Sequence, residues 1–81
     1  DELRDLGRLR LAAVLIDEKS YDEALKQVEA KPAPAFAARY AEVRGDIFLA
    51  QDKKDEARKA FADALAAIDA AAKAGSGAQD A

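Results

Sequence analysis

The feature that most constrains this chain is a repeat inside it. Asp22-Glu23-Ala24-Leu25-Lys26-Gln27-Val28 returns as Asp55-Glu56-Ala57-Arg58-Lys59-Ala60-Phe61, 33 residues later. The same 33-residue offset pairs Ala12 with Gly45 and Leu15 with Phe48. Each unit reads small residue, two others, large residue, eight others, Ala, three others, large residue. A unit of this size cannot bury its apolar face alone, so units stack on one another.

The residues around the repeat favour helix. Ala, Leu, Glu, Lys and Arg dominate, aromatics are only 6%, and no run alternates in the manner of a strand. An all-α fold is expected. Helix one runs from about Glu2 to Ile16, and Asp17-Glu18-Lys19 forms the turn. Ser20 and Glu23 have the spacing of a capping box for helix two. In helix two, Tyr21, Ala24, Leu25 and Val28 form one apolar stripe. Pro32 ends that helix, and Pro34 suits the first turn of helix three. The stripe of helix three is Phe36, Tyr40, Val43 and Ile47, with Phe48 beside it. Asp52 is placed to cap helix four, whose stripe is Ala57, Phe61, Ala64, Leu65 and Ile68. Helix four is expected to end near Ala72, before Gly75-Ser76-Gly77.

The spacing has a packing logic. Ala12 and Gly45 are small where the two helices of a hairpin approach, and Leu15 and Phe48 follow on the same side. Ala24 and Ala57 let the second helix press in. Val28 and Phe61 fill the space one turn on, and Ala64 is the small residue after that. This pattern, with its period near 34, resembles the tetratricopeptide repeat. It implies two helix-turn-helix hairpins, four antiparallel helices and a fragment of a right-handed α-solenoid. The units span about residues 1–33 and 34–72, and residues 73–81 read as a flexible tail. A generic four-helix bundle is the alternative.

Two units are few, and helix one shows a deficit. Leu3, Leu6, Leu9, Leu11, Val14, Leu15 and Ile16 do not fit on one stripe. Such a helix is expected to pack on upstream repeats or on a second copy. The chain begins at Asp1 and has no methionine, which suggests a processed or excised piece.

Composition removes most chemistry. There is no histidine and no cysteine, so the commonest general base and the thiolate ligands are missing. Ser20, Ser76, Tyr21 and Tyr40 are the only hydroxyls, with no base to activate them. The carboxylate pairs Asp17/Glu18 and Asp55/Glu56 sit at turns and helix starts, where the helix dipole favours acids. No enzyme activity, metal or cofactor is expected. A net charge of −3 disfavours nucleic acid. The longest apolar run, Leu11 to Ile16, is too short to span a bilayer.

In helical repeats the first helix of each hairpin lines the concave face. The candidate partner-binding residues are therefore Leu9, Ala13 and Ile16 in unit one, with Glu42, Asp46 and Leu49 in unit two and Arg39 at the edge. Together they form a half-apolar, half-acidic groove suited to an amphipathic helix or an extended segment. The competing reading makes Leu9 and Ile16 packing residues. The Lys, Arg and Asn needed to clamp a C-terminal carboxylate are absent from this face.

Ala41 to Gln51, continued by Asp55-Glu56-Ala57-Arg58, is more particular than a general repeat. With Arg8 to Ala12 and Tyr21 to Leu25, it resembles the C-terminal part of the YfgM-like family over roughly residues 8–68. These are ancillary subunits of the Sec translocon, with one transmembrane helix and a periplasmic repeat domain. The resemblance implies a protein-interaction module on the periplasmic side of the bacterial inner membrane. Its implied partners are the translocon, a membrane-anchored prolyl-isomerase chaperone and secreted clients. Membrane contact would come only through an anchor that this sequence lacks. A generic scaffold in envelope assembly or a cytosolic complex is the alternative.

Overall fold

The computed structural model describes residues 2–80, with side chains described as far as Ala74. Helix α1 is Glu2–Asp17 and α2 is Tyr21–Glu29. A single 3₁₀ turn, Pro34–Phe36, leads into α3, Ala37–Ala50, and α4 is Lys54–Asp80. Among the described residues there is no strand.

The two hairpins turn identically. Lys19 and Asp52, 33 residues apart, have left-handed φ angles of 62° and 60°. Ser20 N–H donates to the Leu15 carbonyl at 2.8 Å, and Lys53 N–H donates to the Phe48 carbonyl at 2.8 Å. Lys19 N–H to Ile16 and Asp52 N–H to Leu49 close the shorter bonds at 2.9 and 3.0 Å. This is the Schellman ending, which satisfies the last carbonyls of a helix. Asp52 is thus the left-handed residue ending α3, and not the cap of α4. Ser20 does stand at the N-cap of α2, but its side chain makes no capping bond. Its carbonyl accepts from Ala24 N–H at 3.0 Å instead. A left-handed conformation disfavours residues bearing a Cβ. Lys19→Gly and Asp52→Gly are each expected to raise the unfolding free energy by about 0.5–1 kcal/mol. Urea titration of each variant checks this, and a loss of stability contradicts the turn geometry.

The repeat positions are buried or half-buried. Ala12, Ala24 and Val28 are fully buried, and Leu15, Gly45, Ala57 and Ala64 are also buried. Phe48 and Phe61 are half-buried. The main core joins Leu9, Ala12, Leu15, Ala24 and Val28 to Tyr40 and Ile47 of α3. Phe36 and Val43 pack against its edge. In the second hairpin the ring of Phe61 lies directly on Gly45. A Cβ added to Gly45 would fall within 2.7 Å of three ring carbons. In the first hairpin Ala12 and Val28 occupy the equivalent places.

One buried acid ties the hairpins together. Asp5 is only 4% exposed. Its Oδ2 accepts from Ala33 N–H at 2.8 Å, and its Oδ1 accepts from the Tyr40 hydroxyl at 3.1 Å. α1 therefore holds both the proline loop and α3. The Ala33 amide holds the Asp5 carboxyl below its ordinary value of 3.8, against the effect of burial and with help from Tyr40. Burial and the Asp5 carboxylate push the Tyr40 hydroxyl up. Folded Asp5 binds its proton less readily than unfolded Asp5, so its contribution is present above pH 3.8 and is lost as pH falls through the lowered folded value. Melting temperatures of the wild type and Asp5→Asn are expected to differ at neutral pH and converge in acid. Parallel curves would contradict the assignment.

Two apolar surfaces stay uncovered. On α1, Leu3, Leu6, Leu11 and Val14 are 83, 38, 45 and 53% exposed, as the unmatched leucines of that helix foretold. On α4, Leu65 and Ile68 are 68 and 53% exposed, against the expectation that they share the packed stripe. The reasons are length and facing. α3 has 14 residues and α4 has 27, so Ile68 lies past the reach of α3, while Leu65 faces away from the side on which Ala57, Ala60 and Ala64 are buried. The end of helix four expected near Ala72 is also corrected, because α4 continues to Asp80. Ala81 and the side chains from Gly75 lie outside the described residues, and the tail's expected flexibility with them.

Candidate protein-binding surface

α3 begins after the proline loop and ends at its Schellman turn, and these ends fix which face it shows. Tyr40 and Ile47 point into the core, so Arg39, Glu42 and Asp46 fall on the exposed side. These three interact. Partial burial pushes the Asp46 carboxyl above its ordinary value, the Glu42 carboxylate adds to this, and Arg39 opposes it. Glu42 and Asp46 are one turn apart, where like charges repel. The patch is acidic and incompletely neutralised from within, which favours an incoming cation.

Asp46 runs opposite in sign to Asp5. Folded Asp46 binds its proton more readily than unfolded Asp46, so its charge opposes stability at neutral pH. That opposition is relieved as pH falls through the raised folded value. Asp46→Asn is therefore expected to raise the thermal midpoint at pH 7 and to leave it unchanged in acid. A lowered midpoint at pH 7 contradicts this electrostatic assignment.

Unit one contributes less than its sequence suggested. Ala13 is exposed, as expected. Leu9 is 8% exposed and belongs to the core, and Ile16 packs against that core. Both are withdrawn from the groove because they are turned to the core. Among the described residues, their equivalents on α3, Glu42 and Leu49, stay exposed. Leu49 opens onto a second feature, an apolar groove of about 520 Å³ between the end of α3 and α4. Lys54, Ala57, Arg58, Phe61, Ala62 and Leu65 line the rest of it. Sequence reasoning missed this groove, although Phe61 and Leu65 already lie one helical turn apart. It also missed Asp5, whose signal was its place four residues before Leu9 on the buried stripe.

Among the described residues, no three acid, histidine or cysteine side chains are placed to hold a metal ion. Among them too, no helix is long and apolar enough to cross a membrane.

The sequence pattern of the tetratricopeptide repeat-like domain matches residues 1–78. The chain belongs to that family. The tetratricopeptide-like chain is also similar to a protein named ancillary SecYEG translocon subunit, from Neisseria gonorrhoeae (strain ATCC 700825 / FA 1090). The two are 36% identical over 63 residues, which is 78% of this chain and 30% of that relative. This chain thus spans under a third of the relative's length. The match supports the YfgM-like resemblance carried by Ala41 to Arg58. No solved structure matches the tetratricopeptide-like chain.

Proposed function

We propose that this chain is a protein-interaction module that assists Sec-dependent secretion by holding partner proteins, and that it does no catalysis. The observation that carries this is a repeat whose spacing is used up in packing, together with a relative named for the Sec translocon. What the repeat leaves outside is a surface: the Arg39, Glu42 and Asp46 patch of α3, with Ala13 nearby in the repeat register. An acidic, partly apolar face suits a basic amphipathic segment of another protein.

The location we propose is the periplasmic side of the inner membrane, with attachment through a part of the protein beyond this chain. The proposed partners are the translocon, a membrane-anchored prolyl-isomerase chaperone and newly secreted proteins. The test is mild affinity isolation of the whole protein from solubilised membranes. Recovery of translocon and periplasmic chaperone components is expected. Recovery of cytosolic complexes alone would favour the generic scaffold. Protease treatment of spheroplasts tests the side: digestion of this region in intact spheroplasts is expected, and protection contradicts the periplasmic placement.

A further inference from the structure

α4 outruns its hairpin. Its 27 residues extend about 40 Å, against about 21 Å for the 14 residues of α3. From the hairpin onto the overhang runs an apolar stripe, Phe61, Leu65, Ile68 and Ala72, that keeps the spacing of Phe36, Tyr40, Val43 and Ile47. The latter four are the stripe by which α3 packs on the first hairpin.

The groove beside Leu49 has a filled counterpart. A shift of 33 residues turns Ile16, Tyr21, Ala24, Leu25 and Val28 into Leu49, Lys54, Ala57, Arg58 and Phe61. The first set lies in or against the core that holds α3. There α3 runs antiparallel to α2, since Arg44 donates to the Val28 carbonyl at 2.9 Å and Gln51 donates to Asp22 at 3.4 Å. The second set is the open groove. Its shape calls for an antiparallel helix carrying that same apolar spacing.

Charge selects the helix. Beside the stripe, one flank of α4 carries Asp55, Arg58, Asp69 and Lys73, alternating acid and base. Within one copy they form only exposed pairs, Arg58–Asp55 at 3.8 Å and Lys73–Asp69 at 3.1 Å. Such pairs contribute little. A two-fold axis across an antiparallel pair sets each flank against its own copy. Reversed end to end, this series complements itself: Asp55 faces the second copy's Lys73, and Arg58 faces the second copy's Asp69. The axis then crosses near Leu65, the most exposed apolar residue of the stripe.

We infer that α4 is a self-association helix, which takes α4 of a second copy of this chain, antiparallel, along the groove beside Leu49. The test is sedimentation of the chain over rising concentration, and a species of twice 8.6 kDa is expected. Leu65→Asp is expected to abolish it while leaving helical circular dichroism unchanged, since that side chain is exposed. Arg58→Asp is expected to weaken association about tenfold. Adding Asp69→Arg is expected to restore it, although both pairs within one copy then become like-charged. The chain has no cysteine, so Leu65→Cys is expected to cross-link cleanly to itself while Lys73→Cys does not. A monomer at every concentration, association that survives Leu65→Asp, or a dimer lost with Val14→Asp on α1 instead, overturns the inference.

Discussion

Tyr40→Ala is expected to leave this chain largely unfolded at room temperature. Tyr40 is one of the three largest fully buried side chains, and it touches both halves of the fold. Its ring belongs to the core that joins α3 to the first hairpin. Its hydroxyl reaches Asp5 across 35 residues of sequence. Removing a buried aromatic side chain costs about 3–5 kcal/mol. A domain of this size has roughly 3–5 kcal/mol of core stabilisation in total. The loss therefore equals the whole margin. Tyr40→Phe separates the two parts of the effect. It keeps the ring and removes the bond to Asp5, with an expected loss of about 1–2 kcal/mol. Urea titrations of both variants check this. Tyr40→Ala within about 1 kcal/mol of wild type would contradict the role given to this side chain.

The second large effect lies at Gly45. An added methyl meets the edge of the Phe61 ring along three carbons. Overpacking of this kind costs about 1–3 kcal/mol. Alanine returns about 1 kcal/mol through its better helix propensity. Gly45→Ala is thus expected to lose up to about 2 kcal/mol net. The first hairpin already contains the remedy, since Ala12 and Val28 are both fully buried in the equivalent places. Gly45→Ala combined with Phe61→Val rebuilds that pair. The double variant is expected to exceed the sum of the single effects by about 1 kcal/mol. Strict additivity would show that the two residues are not packed as a unit.

The packing residues could be read from the sequence because packing is periodic. Ala12, Leu15, Ala24, Val28 and their partners in the second unit recur with one spacing, and the structure buries or half-buries all of them. The candidate face was harder to read because repeat symmetry breaks at an edge. Leu9 and Glu42 hold equivalent positions, but Leu9 packs with Tyr40 and Ile47 of α3, while among the described residues Glu42 has no such cover. One therefore joins the core and the other meets solvent. Asp5 was missed for a different reason. A carboxylate on a helix reads as solvated, and its burial depends on a loop 28 residues away and on Tyr40. The extent of α4 was misread through Gly75 and Gly77. Glycine in a helix costs only about 1 kcal/mol relative to alanine, and this one approaches them through an Ala-rich stretch.

The proposed function rests on the exposed face of α3 holding another protein. Site-specific photo-crosslinking of the whole protein in its own membranes tests it most directly. The reactive group is placed at Asp46, with Lys26 on the exposed side of α2 as the control. Adducts from Asp46 to translocon or exported proteins are expected, and none of these from Lys26. Equal labelling from both positions, or no adduct from Asp46, would contradict it.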